Sequence, residues 1–363
     1  MSQENNLLVA ASGTGGHIFP ALAISKNLEE YWNIHWLGVR QRFDANFIPQ
    51  KYNLSTVNIK TPKKNIFIVF QYLDILMSTF HIIRILKAKK INLVFTTGGY
   101  ISAPTIIAAK ILRIPVIIHE SNLIPGMVTK HFGFLCNYVF TGFQETNSYL
   151  KYCKTIFTGT PLREQFYKNN LLPEWVPKGA GPLLVVMGGS QGAKAINEIL
   201  YESLEFLVRE NFRIVHIIGE NNKKVFNIKS SKNYVPIQFT HEIAALIQNC
   251  DLVISRSGSG TINELIQAGK PSILIPYPYS KNNHQEKNAM ILAKIGGSVL
   301  INQNKLSKEF FEETLKRIFK SKIKNGEYIY EILDLMKKNM EKNSGLKSNN
   351  EIKKLMNYFL KEF

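Results

Sequence analysis

A chain of 363 residues with 45% hydrophobic and 20% charged residues is too long for one core of ordinary size and reads as a soluble, two-domain globular protein. Its formal charge of +18, from 45 Lys+Arg against 27 Asp+Glu, favours an anionic partner, whether nucleic acid, an acidic membrane surface or a phosphorylated substrate. Three cysteines (Cys136, Cys153, Cys250) at no zinc-site spacing argue against a disulfide scaffold or a zinc fold.

The start, "MSQENN", is polar and lacks the basic-then-apolar pattern of a signal peptide. The first strand expected is "LLVAA" (7–11), followed at once by a glycine turn and a helix. Further strands are expected at 34–39, 93–97, 115–120, 138–142, 182–188, 213–219, 234–239, 251–256, 271–276 and 298–302. Most are continuous apolar runs, the mark of parallel strands covered on both faces. Alternation with helical patterns gives an α/β class. Residues 65–90 hold the longest apolar stretch, but Gln71, Asp74, His81 and Arg84 interrupt it, so no transmembrane helix is expected. Beyond about residue 305 the chain reads as charged amphipathic helices.

The chain also repeats itself. "LLVAASGTGGHIFPALAISKNL" (7–28) resembles "LLVVMGGSQGAKAINEILYESL" (183–204), and residues 93–121 echo 252–278 in the same order. Two similar Rossmann-like halves are the expectation, joined within the Pro-, Gly- and Asn-rich stretch 167–182.

Four glycine turns follow strands: Gly13–Gly16, Gly98–Gly99, Gly188–Gly192 and Gly258–Gly260. The first fails the G-x-G-x-x-G dinucleotide pattern, since Ile18 stands at its third position, and no Lys-Ser or Lys-Thr closes a P-loop. What remains is a backbone that approaches a ligand closely and helix N-termini that favour anions. Taken singly, such turns are ordinary loop chemistry. Four of them, paired across two halves, point to a cleft facing anionic groups from both sides. Glu264, in "GSGTINELIQAG" (258–269), suits ribose hydroxyls or simply a helix dipole. His284, Gln285 and Asn288 suit sugar hydroxyls or a solvated helix start. His17, at a helix N-terminus, is biased toward its neutral form and reads as a general base or a capping histidine. His119 and Glu120 end a strand and are expected to face the cleft. No Asp-x-Asp motif occurs, so helix N-termini and Arg163 are expected to neutralise a leaving diphosphate in place of a metal.

Six motifs then make a resemblance: "GTGGHIFPALA", "TTGGYISAPTIIAAKILRIPVIIHESNLIPG", "TGTPLR", "MGGSQGAKAIN", "SRSGSGTINELIQAGKPSILIPYP" and "HQEKNA". In order and spacing, over about residues 7–300, they resemble the MurG family, the N-acetylglucosaminyltransferases of bacterial peptidoglycan synthesis. The resemblance implies a GT-B fold, two Rossmann-like parallel-sheet domains facing a cleft. It divides the chain at 1–165 and 166–342, with a helix of about 343–363 returning to the first domain. It implies an inverting, metal-independent transfer of N-acetylglucosamine, without a cofactor, from UDP-N-acetylglucosamine to the C4 hydroxyl of undecaprenyl-pyrophosphoryl-N-acetylmuramyl-pentapeptide (lipid I), giving lipid II.

Carried over residue by residue, the donor contacts are Ser190, Gln191, Thr240, Ser259, Gly260, Thr261, Ile262, Asn263, Glu264, His284 and Gln285, with Thr14, Gly15, Gly16, Asn122 and Arg163 from the first half. Gly13, Gly98, Gly99 and Tyr100 face the acceptor pyrophosphate. His17 is the base candidate and Glu120 its support. Ser121, Thr160 and the Ser259-Gly260 pair depart from the family pattern. Lysines and arginines flanking the apolar spacing of 62–90 (Lys63, Lys64, Arg84, Lys87, Lys89, Lys90) suit an anionic cytoplasmic leaflet, so the protein is expected to be peripheral on the inner face of the plasma membrane, beside other cell-wall synthesis proteins. The rivals are a UDP-N-acetylglucosamine 2-epimerase on the same fold, whose motifs fit poorly, and a nucleic-acid-binding protein, for which no motif is present.

Overall fold

The computed structural model describes residues 5–13, 15–39, 48–59, 68–189, 192–219, 230–324, 327–344 and 348–362. The chain forms two compact units, Met1–Arg163 with Lys347–Phe363, and Glu164–Leu346.

The first unit runs β1 (Asn6–Ala10), α1 (Gly15–Leu28), β2 (Asn33–Val39), β3 (Asn53–Val57), α2 (Ile68–Ala88), β4 (Leu93–Thr96), α3 (Ser102–Ile111), β5 (Val116–Glu120), α4 (Met127–Phe132), β6 (Tyr138–Thr141) and β7 (Thr155–Phe157). Its seven strands are all parallel, in the order β3-β2-β1-β4-β5-β6-β7. The apolar runs are continuous because both faces are covered. On one face Leu8 and Ala10 pack with Ile82, Leu86 and Ile106 of α2 and α3. On the other, Leu7 and Val9 pack with Ala21, Ile24 and Leu28 of α1.

The second unit runs β8 (Leu183–Met187), α5 (Lys194–Glu202), α6 (Leu204–Arg209), β9 (Arg213–Ile217), β10 (Tyr234–Ile237), α7 (Ile243–Asn249), β11 (Leu252–Ser255), α8 (Ser259–Ala268), β12 (Ser272–Leu274), α9 (His284–Lys294), β13 (Ser298–Leu300), α10 (Lys308–Ile318), the hairpin β14 (Lys322–Lys324) and β15 (Glu327–Ile329), and α11 (Glu331–Glu341). Its parallel sheet has the order β10-β9-β8-β11-β12-β13. Pro236 is tolerated in β10 because that strand lies at the sheet edge. The last helix, α12 (Ser348–Glu362), belongs to the first unit: Ile352, Met356 and Phe359 complete the α1 face of that sheet. Each such side chain contributes roughly 1.5–3 kcal/mol relative to exposure. Asn349 pins the start of α12 by bonds to both backbone groups of Leu162, accepting from its N–H at 3.0 Å and donating to its carbonyl at 2.8 Å.

Six strands of each sheet share the 3-2-1-4-5-6 order of the doubly wound fold. In that order the chain reverses direction of winding between its first and fourth strands, and ligands bind beyond the carboxyl ends there. β1 and β4 flank this point in one unit, and β8 and β11 in the other. All four glycine turns leave the carboxyl ends of these four strands. Strands β3 and β7, not expected from the sequence, are short; β3 is largely exposed and β7 only partly buried.

Candidate active site

In the first unit the two turns meet through His17. It stands on the first turn of α1, half-buried, and its Nδ1 lies 2.6 Å from the carbonyl oxygen of Thr97, just past β4. The ring rests against Gly98 and Gly99: a Cβ there would come 3.4 Å from His17 Cε1 and 3.7 Å from Cδ2. Both glycines, like Gly13, hold the left-handed φ that side chains disfavour. Gly15 is a glycine for another reason, since a Cβ would meet the Phe19 ring at 2.8 Å. That ring lies under the guanidinium of Arg163 at 5.1 Å, so the structure brings Arg163 to the same turn as Gly15, Gly16 and His17. Tyr100 is partly exposed at the start of the α3 turn.

Glu120, expected to face the cleft and to support His17, is turned into its own loop. It is 4% exposed, and its own loop saturates it. Oε1 accepts from the backbone N–H (3.0 Å) and side-chain amide (3.1 Å) of Asn122. Oε2 accepts from Gly126 N–H (2.8 Å) and Thr129 Oγ1 (2.7 Å). The carboxylate therefore organises residues 121–129, setting Asn122, and any support it gives His17 passes through that loop. His119 is likewise not at an open surface. It is wholly buried, with Nε2 bonded to Gly159 O at 2.9 Å and Nδ1 to Ser121 Oγ at 3.2 Å. Burial pushes its pKa down to about 4, so it is a neutral structural group.

In the second unit, the turn after β8 closes with Gly192 N–H on Gly189 O (2.9 Å). Gly188 is sterically obligatory there, because a Cβ would lie 2.1 Å from the Ala193 nitrogen. Thr14, Ser190 and Gln191 lie outside the described residues. Helix α8 splits the expected run 259–264 by face. Gly260, Thr261 and Glu264 are partly exposed, whereas Ile262 is wholly buried and Asn263 donates to Ser259 O at 2.8 Å. The side chains of Ile262 and Asn263 therefore serve the fold, which leaves their backbone groups for any donor contact. Glu264 sits in the second turn of α8, beyond the first turn in which the dipole acts strongly. Gly258 and Gly260 have nothing within 4 Å of where a Cβ would stand, so no packing within the unit demands a glycine at either position.

Around α8, Ser257 Oγ donates to Gln285 O (2.8 Å), and the buried Asn288 donates to Ser257 O (3.4 Å). Gln285 Oε1 accepts from Tyr277 N–H at 2.9 Å. Asn288 is thus structural, and Gln285 keeps its amide NH₂ as a donor. His284 is held by Nδ1 on Lys281 O at 2.8 Å. Thr240 Oγ1 accepts from Glu242 N–H at 3.0 Å ahead of α7, so its side chain caps that turn. Arg256 is a residue the sequence motifs did not single out. Its guanidinium ties the carbonyls of Ile275 and Pro276 (3.0 and 3.1 Å) to Gln303 (2.7 Å) and lies 5.5 Å from the Tyr277 ring. Its position inside "SRSGSG" was the only available signal.

Residues 7–141 match the glycosyltransferase family 28 N-terminal domain, and residues 183–347 match the family's C-terminal domain. The chain is 80% identical, over all 363 residues and the whole of the relative, to a UDP-N-acetylglucosamine--N-acetylmuramyl-(pentapeptide) pyrophosphoryl-undecaprenol N-acetylglucosamine transferase of Prochlorococcus marinus (strain MIT 9312). The chain belongs to glycosyltransferase family 28. A more distant relative of the same name, from Prochlorococcus marinus (strain NATL1A), is 45% identical over 87% of this chain and 91% of its own. The crystal structure of Acinetobacter baumannii MurG shares the GT-B fold, with a TM-score of 0.76 at 22% identity over 98% of this chain and all of that one. A putative UDP-N-acetylglucosamine 2-epimerase from Listeria monocytogenes has the same architecture, with a TM-score of 0.65 at 13% identity over 99% of this chain and 98% of that one. Fold alone therefore does not separate family 28 from the epimerase; the family 28 motifs and sequence identity do.

Proposed function

We propose that the chain transfers N-acetylglucosamine from UDP-N-acetylglucosamine to lipid I, forming lipid II for peptidoglycan. The observation that carries this is the 80% identity, end to end, with a transferase of that name. The reaction is an inverting displacement. The C4 hydroxyl oxygen of the muramyl sugar bonds to the anomeric carbon as the bond from that carbon to the UDP oxygen breaks. His17 takes the hydroxyl proton.

The acceptor pyrophosphate is assigned to the turns at Gly13 and Gly98–Tyr100, where glycine lets the backbone approach an anion closely beside a helix N-terminus. The donor is assigned to Ser190, Gln191, Thr240, Gly260, Thr261, Glu264, His284 and Gln285, with Thr14, Gly15, Gly16, Asn122 and Arg163 also contacting it. Glu264 accepts ribose hydroxyls, the Gln285 amide donates to the sugar, and Arg163 with the helix N-termini balances the departing diphosphate without a metal. Gly258 joins this set, because the open space where its Cβ would stand suits close approach of a ligand.

The lipid-linked acceptor implies membrane association, and no helix among the described residues is long and apolar enough to cross a membrane. α2 presents Leu76, Met77 and Phe80, each at least half exposed, together with exposed Arg84 and Lys87, and exposed Lys89 and Lys90 follow directly after its end. An apolar strip beside clustered cations suits the anionic cytoplasmic leaflet. Lys63 and Lys64 lie outside the described residues.

The deciding assay supplies labelled UDP-N-acetylglucosamine and a lipid I analogue with chelator present. Label moving to the lipid is the expected result. Epimerised sugar nucleotide alone would install the epimerase reading.

A further inference from the structure

Thr97 belongs to none of the assigned contacts, yet it holds His17 from two sides. It is 3% exposed, just past β4. Its carbonyl oxygen lies 2.6 Å from His17 Nδ1, and its Oγ1 donates to the carbonyl of His17 at 2.8 Å. A carbonyl only accepts, so Nδ1 carries the hydrogen and the neutral ring has its lone pair on Nε2.

The need for an outside tie follows from Pro20, which sits inside α1. It has no N–H to give the carbonyl four residues back, that of Gly16, and its ring crowds that carbonyl. The turn bearing Gly15, Gly16 and His17 therefore lacks one of the internal bonds that would fasten it to the helix body. Thr97 Oγ1 ties the neighbouring carbonyl of the same turn, that of His17, to the end of β4. Gly98 and Gly99, with φ of +87° and +81°, let the backbone pass beneath the ring.

We infer that Thr97 is a positioning residue, which clamps the first turn of α1 and the His17 imidazole so that the Nε2 lone pair is the one presented to the acceptor hydroxyl. This rests on the reading of His17 as the base.

The test uses the full chain with UDP-N-acetylglucosamine and a lipid I analogue. Thr97→Val keeps the shape and removes the hydroxyl. It should lower kcat about tenfold, the effect of one lost orienting hydrogen bond, with donor KM within about twofold. Thr97→Ser should restore most of the rate. Nitrogen-15 NMR of histidine-labelled protein should show His17 protonated on Nδ1 in the parent chain and, since the Thr97 carbonyl remains, on Nδ1 still in Thr97→Val, with the resonances broadened by the loosened turn. A parent His17 protonated on Nε2, a Thr97→Val enzyme at full rate, or Ser and Val variants equally slow would each overturn the clamp. His17→Ala separates the two readings: full activity there removes the base assignment, while the NMR result still judges the clamp.

Discussion

His216 donates from Nε2 to Asn197 Oδ1 across 3.0 Å in the interior of the second unit, and this bond sets the direction of a longer chain. Asn197 spends its amide N–H on Ile218 O (3.1 Å), so its oxygen must accept. His216 Nδ1 must then accept from Tyr234 OH (3.0 Å). The relay fastens α5, directly after the β8 turn, to β9 and β10. His216→Phe strands the buried Asn197 oxygen, at roughly 1–3 kcal/mol, and takes from the Tyr234 hydroxyl one of its bonds, at roughly 0.5–1.5 kcal/mol, leaving it the bond to Tyr201. We expect a loss of about 1.5–4.5 kcal/mol in urea unfolding, and a loss under about 0.5 kcal/mol would contradict the relay.

The same histidine gives stability a pH dependence. Burial holds His216 at about 3 and His119 at about 4, against an ordinary 6.5. Below about pH 6.5 the unfolded chain takes up protons that the folded chain refuses, so stability is full above that pH and falls as pH drops toward 4. The slope is up to about 1.4 kcal/mol per pH unit for each histidine. Urea midpoints between pH 7 and 4.5 should fall accordingly, and a flat profile would refute the assignment of both groups as buried and neutral.

Glu120→Gln puts an amide NH₂ where four donors converge. Lost charge-assisted bonds are worth roughly 1.5–3 kcal/mol each. The loop 121–129 should loosen, with faster amide exchange at Gly126 and a drop in kcat of at least about tenfold. Unchanged exchange at Gly126 would show that the carboxylate does not organise the loop.

On α8, Gly258→Ala should leave the urea midpoint unaltered, because the added methyl meets open space. Donor KM should rise if the ligand passes there. Glu264→Ala should raise donor KM about tenfold or more, through loss of charge-assisted hydrogen bonds, with a smaller effect on kcat. Isothermal titration with UDP-N-acetylglucosamine checks both, and donor affinity unchanged in both variants would remove α8 from the donor site.

Membrane attachment through α2 predicts that reversing Lys87, Lys89 and Lys90 to Glu weakens binding to anionic vesicles. Each lysine near such a surface contributes about 1 kcal/mol, so the triple variant should bind at least about 100-fold less tightly. Co-sedimentation at equal salt measures this. Undiminished binding would move the contact to another face.

Much of the architecture was legible because its cause is local. A parallel strand covered on both faces must be apolar throughout, as in "LLVAA" and "PLLVVMG". A glycine turn between such a strand and a helix marks the carboxyl edge where ligands bind, and the internal repeat announced two such edges. Strands β3 and β7 escaped notice because they are short edge strands with exposed residues and no apolar run.

Side-chain roles were less legible, because neighbours from distant parts of the chain decide them. "HE" at 119–120 ends a strand and in sequence is expected to face the cleft, yet His119 is spent on Gly159 and Glu120 on its own loop. In "SGTINE" the helical register sends Ile262 into the core and leaves Glu264 partly exposed. Hydrophobic periodicity and glycine are local properties, so the two-fold plan of strands and anion-binding turns could be read along the chain. Which nitrogen of His17 holds the proton could not, since that depends on a carbonyl 80 residues away.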